Sequence, residues 1–371
     1  MKTILSTAIA LIVSATAHAK DWPLPLLVPI TGPAAIEGTA QRNGGQIAAT
    51  RTTNGQTVKS DVTDTGSAAD GGANAMSRYV ETKDVIAVVG STFGTQMLAM
   101  LPLAAEYKLP LITTSGTAQV TEQGNPFVFR FYPSDAAAKL VQVRYAVQQR
   151  GFKRAAILFN TTAYGQSGQG FLKKYVSAAG GEVVYEEGLS VTAKDFTSAI
   201  QKTLAAKPDV ILLQTHGAPG AILLKQLSAA GVTVPVVGST TLTNPGTLAL
   251  LEPKDLKGFC AETASIAEKG KSPEFDQFID DYQNRFNVAP DAFAIQQYDG
   301  SMMVAAAFGS GVASREAMKD YLATNAYRGV AMTYKSDGKG NMAHSAVVVC
   351  YDGASTAPKV ESRYTDIQIP K

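Results

Sequence analysis

The stretch from Val85 to Ala118, VIAVVGSTFGTQMLAMLPLAAEYKLPLITTSGTA, constrains the fold more than any other. VIAVV is short, apolar and β-branched, as a strand buried on both faces should be. GSTFG follows it, then a mostly apolar helical run over Thr95–Lys108, then a strand over Leu109–Ile112 that opens into TTSGTA. This order predicts an α/β fold with a parallel sheet. In such sheets the loops leaving the carboxyl ends of the strands line the binding crevice. Both loops here carry hydroxyls and glycines and no charge. Free backbone N–H groups at a helix start favour an anion such as a carboxylate. The hydroxyls of Ser91, Thr92, Thr95, Ser115 and Thr117 add further donors. One such loop could simply be capping its helix. Two in succession at strand ends predict a crevice.

With 371 residues the chain is too long for one ordinary core and has the length of two domains. Hydrophobic residues make up 45% and charged residues 17%, which places it among globular chains. The net charge is +2 and the basic residues are scattered, so there is no nucleic-acid footprint. Residues 1–19 read as a secretory signal: Lys2, the apolar ILSTAIALIV, and the cleavage site Ala17-His18-Ala19. The apolar run is too short to span a bilayer, so no membrane insertion is expected. The mature chain is expected to begin near Lys20, outside the cytoplasm. Its two cysteines, Cys260 and Cys350, can pair in that compartment. With only His216 and His344 beyond the leader and no C-x-x-C, no zinc site is expected, and no cofactor.

The α/β rhythm extends along the chain. Leu24–Val28 is a strand ending at PITGPAAIEG, with a helix after it to Thr50. Gln56–Val62 reads as a second strand and Ser67–Thr82 as a second helix. NPFVFRFYPSD, Asn125–Asp135, breaks the rhythm and reads as a first crossing between domains. A second series follows: strands at Ala155–Phe159, Glu182–Tyr185, Asp209–Gln214 and Val234–Val237, each opening into a small polar loop. Leu256–Ala264 reads as a strand returning toward the first domain. Ser272–Phe286, Asp291–Phe308 and Arg315–Ala323 read as helices, AHSAVVVC as a last strand, and the charged stretch after Asp352 as a tail.

In this order ITGPAAIEG, GSTFGTQ, LPLITTSGTA, FRFYPSD, AAILFNTTAYGQ, DVILLQTHG, VPVVGST, AIQQYDG and YKSDGKGNM resemble the periplasmic binding proteins of branched-chain amino acid transporters. The resemblance covers nearly the whole mature chain. It implies a type I periplasmic binding fold: two doubly wound α/β lobes, Rossmann-like, joined by a three-strand hinge. The lobes would be 20–132 with 265–349, and 133–264 with 350–371. It further implies a monomer in the periplasm that closes on a small carboxylate ligand in the cleft and docks on an inner-membrane ABC permease.

Carried over position by position, the family's carboxylate-binding serine falls at Gly94, beside Thr95. Further contacts fall in Ser91–Phe93 and at Ser115, Gly116 and Thr117. The pocket aromatic after the first strand falls at Glu37. Tyr164 matches the aromatic of the second lobe's first loop, and His216 or Gly217 takes another position that is often aromatic. The acid that accepts the ligand ammonium falls at Thr240, and Tyr298, followed by Asp299, matches a tyrosine of the late helix. The anion half of the site is thus better kept than the ammonium half. A branched-chain or related amino acid leads as ligand class, with Glu37 or Asp299 then replacing the missing acid. Aromatic and other organic acids remain open. The resemblance also puts both cysteines near the hinge, either paired or as two buried thiols.

Rival functions find less support. A dinucleotide-binding enzyme needs G-x-G-x-x-G between strand and helix, and GQSGQG at Gly165–Gly170 has the wrong spacing and place. There is no P-loop and no G-x-S-x-G elbow. His216 with Glu37 or Asp299 could form an acid–base pair, but a ligand or capping contact is the simpler reading. A ligand-sensing domain would share the fold and would need a separate signalling partner.

Overall fold

The computed structural model describes residues 20–370, so the expected leader at 1–19 lies outside the described residues. Two open sheets carry the architecture. The first is all parallel and runs in the order β2-β1-β3-β4-β5, with β1 at Leu26–Val28, β2 at Val62–Asp64, β3 at Val88–Val89, β4 at Leu111–Thr113 and β5 at Val128–Arg130. The second runs β12-β11-β10-β9-β8-β6-β7. Its strands are β6 Arg154–Asn160, β7 Glu182–Leu189, β8 Val210–Gln214, β9 Val236–Gly238, β10 Phe259–Thr263, β11 Ala346–Cys350 and β12 Lys359–Tyr364. Strands β6 to β10 are parallel, and β11 and β12 are antiparallel additions. Strands β1, β8 and β10 are buried along their whole length, which explains the apolar runs of β1 and β8.

Seven helices matter for the site. They are α1 Ala35–Ala48, α2 Gly94–Glu106, α3 Asp135–Val143, α4 Ala163–Ala178, α5 Gly217–Ala229, α6 Pro273–Phe286 and α7 Ala292–Gly309. Each sheet buries both faces. In the first lobe α7 packs on one face with Trp22, Phe129, Phe131, Met303 and Phe308, and α2 packs on the other with Met97, Met100 and Leu101. Helices α1 and α7 approach closely because Gly44 has no side chain. A Cβ there would lie 2.1 Å from the Ala294 carbonyl oxygen.

The chain crosses between lobes three times, after β5 near Tyr132, after β10 near Ala264, and before β11 near Ser345. The last crossing falls a few residues before the expected boundary. Ala346–Val349 pair with β10 and so belong to the second lobe's sheet rather than to the first lobe.

Local departures have identifiable causes. The expected strand Gln56–Val62 divides: Gln56–Lys59 pairs with Lys20–Pro23 in a separate ribbon, and the main sheet resumes at Val62. The expected helix Ser67–Thr82 is regular only over Gly71–Met76. Beyond it, the Arg315 guanidinium takes the carbonyls of Val80 and Thr82, so the backbone there is satisfied without a helix. The tail forms the edge strand β12, whose charged side chains suit an exposed edge. Cys260 and Cys350 face each other in the antiparallel β10–β11 register and are joined as a disulfide. The Tyr145 hydroxyl lies 3.2 Å from each sulfur.

Candidate functional site

The carboxyl ends of both parallel sheets point at one cleft. A nearly filled cleft lies there, with only about 10 Å³ of free space, far below the range of about 300–1,000 Å³ usual for an open ligand site. The first lobe lines it with Ala34 and Glu37 at the start of α1, Thr92 and Phe93 before α2, Gly116 after β4, and Phe293 in the first turn of α7. Tyr132 enters from the first crossing. The second lobe contributes Tyr164 in the first turn of α4, His216 before α5, and Thr240 and Thr241 after β9. Five of the eleven lining residues are aromatic. Tyr132 stacks on Phe293 at 5.2 Å, while His216 sits between Phe93 at 5.2 Å and Tyr164 at 5.3 Å. Burial raises the Tyr132 and Tyr164 phenols well above their ordinary range, so both are neutral donors.

The residues expected at the site divide into three groups, with Tyr298 apart from all of them. Glu37, Thr92, Phe93, Gly116, Tyr164, His216 and Thr240 line the cavity. Ser115 and Thr117 are fully buried, and among the described residues their hydroxyls have no protein partner. Ser91, Gly94, Thr95 and Gly217 shape the site from behind or across it. The Ser91 hydroxyl donates to Gln96 at 2.7 Å and accepts the Phe93 N–H at 3.0 Å, so it is consumed in bracing the loop. Thr95 accepts the Ala163 N–H of the other lobe at 3.3 Å. A Cβ at Gly94 would lie 1.9 Å from the Thr117 hydroxyl oxygen. A serine at 94 and a threonine at 117 therefore exclude one another, and here the hydroxyl comes from Thr117.

Tyr298 is elsewhere, packed on Phe278 at 4.4 Å in the aromatic core of α6 and α7. It follows Phe293 by five residues, which turns it roughly 140° around the helix axis. Phe293 therefore takes the cleft side. Asp299 is also structural: it accepts from the Val330 N–H at 2.8 Å and the Tyr334 hydroxyl at 2.9 Å, and burial pushes its carboxyl up to about 7. Sequence reasoning missed Tyr132 and Phe293. Both sit inside quoted motifs or beside them, at a crossing and at the head of the late helix, where a cleft residue must lie.

Helix starts provide most of the site's polarity. The N-caps of α2 and α5 are Phe93 and His216, and neither side chain caps its helix. At α5 the acceptor arrives from the opposite lobe: Glu37 Oε1 takes the Gly217 N–H at 2.8 Å. Glu37 is 2% exposed, and its Oε2 has no protein partner among the described residues. His216 Nδ1 lies 3.8 Å from Glu37 Oε1, and its Nε2 is 3.1 Å from the Thr162 hydroxyl. That is a capping arrangement across a cleft. Further bonds between the lobes run from Ala118 N–H to Ser167 at 3.0 Å and from Asn244 to Asp291.

Among the described residues no cluster of three or more His, Cys, Asp or Glu side chains could hold a metal, and no helix is long and apolar enough to cross a membrane.

Two α/β lobes built on mainly parallel sheets, three crossings and a cleft at the strand ends give the architecture of a two-lobed binding protein. The profile of the periplasmic binding protein family matches residues 22–354, and the chain belongs to that family. It is 24% identical over 304 residues to a Leu/Ile/Val-binding protein of Rhizobium johnstonii, covering 80% of this chain and 82% of the relative. It is 25% identical over 343 residues to a leucine-, isoleucine-, valine-, threonine- and alanine-binding protein of Pseudomonas aeruginosa, covering 90% and 91%. Among solved structures, a leucine-binding protein from Thermotoga maritima superposes with a TM-score of 0.84 at 22% identity, covering 93% of this chain and 99% of that one. A solute-binding protein from R. palustris in complex with benzoate superposes with a TM-score of 0.85 at 20% identity, covering 95% and 98%. The two-lobed fold is shared with these solved structures, and family membership makes the chain a periplasmic binding protein.

Proposed function

We propose that this chain captures a small amino acid with an aliphatic side chain in the periplasm and delivers it to an inner-membrane ABC permease. One observation carries the choice of ligand: Glu37 presents an unpartnered, fully buried carboxyl oxygen to a cavity that has no other acid in its wall. A buried carboxyl oxygen without a donor is costly, and an ammonium group offsets that cost. The ligand's own carboxylate would face the hydroxyls of Ser115 and Thr117 and the free N–H groups at the start of α2. Phe93, Tyr132, Tyr164 and Phe293 would enclose an apolar side chain. Such a ligand touches both lobes, and it shifts them toward contact only by binding the closed form better than the open one.

The stacked Tyr132–Phe293 pair favours one alternative, an aromatic acid bearing a hydroxyl that donates to Glu37. The R. palustris relatives bound to benzoate and 4-hydroxybenzoate share the fold. Calorimetric titration separates the two readings. Leucine, isoleucine, valine and alanine are expected to bind, and the same skeletons without the amino group are expected to bind far more weakly. Binding of hydroxybenzoates with no response to any amino acid would overturn the reading.

A further inference from the structure

We infer that Arg130 is the positioning residue that turns the TTSGTA loop into an anion-binding nest; the inference rests on the carboxylate-binding reading above. Arg130 ends β5 and is 0% exposed. Its Nη1 donates to the carbonyls of Ser115, Gly116 and Thr117 at 3.2, 2.7 and 2.8 Å. Its Nη2 donates to the Ala118 carbonyl at 3.0 Å and to the Thr121 hydroxyl at 2.5 Å. Four successive carbonyls therefore point at one guanidinium.

Peptide planarity fixes the consequence. In a trans peptide the C=O of one residue and the N–H of the next point in opposite directions. With the Ser115 and Gly116 carbonyls turned to Arg130, the N–H groups of Gly116 and Thr117 turn away from it, on the side where Gly116 meets the cavity. Among the described residues neither N–H has a protein acceptor, whereas the next one, Ala118, bonds to Ser167 of the other lobe. Successive N–H groups presented in this way form an anion nest. The Ser115 and Thr117 hydroxyls without partners belong to the same loop.

Charge alone does not explain the arrangement. Asp135, Lys139 and Glu262 are also buried, with Lys139 Nζ 2.5 Å from Glu262 Oε1, and the charges of Lys139 and Arg130 oppose the rise that burial causes at the Asp135 carboxyl. The row holds two cations and two acids, so it sums to near neutrality. What Arg130 adds is a planar fork that a lysine cannot reproduce, since one ammonium has three donors on a flexible stem.

The experiment compares leucine with leucinamide in the whole mature protein and in Arg130→Lys and Arg130→Met. The readout is the ratio of the two dissociation constants by calorimetry, with folding checked by thermal melting and circular dichroism. The wild type is expected to prefer the acid. That preference is expected to fall about tenfold or more in both variants, since hydrogen bonds to a charged oxygen are lost. Restoration of the preference by lysine would show that charge, not geometry, does the work, and would overturn the inference. So would equal weakening of acid and carboxamide, which is what a purely stabilising role produces. Should the methionine variant fail to fold, the lysine variant alone decides. A wild type that binds acid and carboxamide equally would instead refute the carboxylate reading on which the inference rests.

Discussion

Replacing Glu37 by glutamine tests the site at its most informative atom. The Gly217 N–H can bond only to an acceptor, so the glutamine amide must place its oxygen there, where Oε1 now sits at 2.8 Å. Its NH2 then occupies the position of Oε2 and faces the cavity. An ammonium ligand meets a donor instead of an acceptor and loses its only acid in the wall. The lost charged hydrogen bond is worth about 1.5–3 kcal/mol, or roughly 10- to 150-fold in affinity. A second effect is smaller. The neutral amide interacts less well with the start of α5, which weakens contact between the lobes by about 0.3–1 kcal/mol for every ligand alike. The assay must separate the two. Leucine and 4-methylpentanoate differ only in the amino group, and both are titrated into wild type and Glu37→Gln by calorimetry. The expected result is a loss of about 1.5–3 kcal/mol for leucine beyond any loss shared with the deaminated acid. Equal losses for the two ligands would refute the reasoning, because Glu37 would then act only as a latch.

Three further outcomes are expected. Gly94→Ala should cost about 1–3 kcal/mol of stability by overpacking, because its Cβ would lie 1.9 Å from the Thr117 hydroxyl. Urea unfolding should show that cost largely removed in a Thr117→Gly background, and an unchanged cost would place the strain elsewhere. The Cys260–Cys350 bond closes a separation of 90 residues, so Cys350→Ser should lower stability by about 4–5 kcal/mol on the chain-entropy estimate. Thiol titration of the unfolded, unreduced protein should find none free, and two free thiols would exclude the bond. Burial raises Asp299 from 3.8 to about 7, so the folded state holds its proton where the unfolded state has lost it. The stability this contributes is complete below about pH 4 and is lost as pH rises toward 7, at up to about 1.4 kcal/mol per unit. The urea midpoint of the wild type should therefore fall relative to Asp299→Asn between pH 5 and 7, and parallel profiles would show that the group titrates normally.

Local chemistry made much of this protein legible from its residues. Short apolar runs and polar strand-end loops identify parallel sheets because burial on both faces demands the former and cleft formation the latter. GSTFG and TTSGTA were recognisable for that reason, and Phe93, Gly116, Tyr164, His216 and Thr240 all reach the cavity wall. Only tertiary structure decided which groups remain unspent. Ser91 and Thr117 look alike in sequence, yet one hydroxyl is used up on Gln96 and Phe93 while the other has no protein partner. Tyr298 and Phe293 share one helix, and the direction of its packing sends one to the core and the other to the cleft. Helical limits near Thr82 depended on Arg315, more than two hundred residues away along the chain. The sequence brought Glu37 and His216 to one site, but that Glu37 spends an oxygen on the Gly217 N–H was decided only when the two lobes met. Periodicity reports which face of an element is buried, but the partner of a buried polar atom is set by segments distant in sequence.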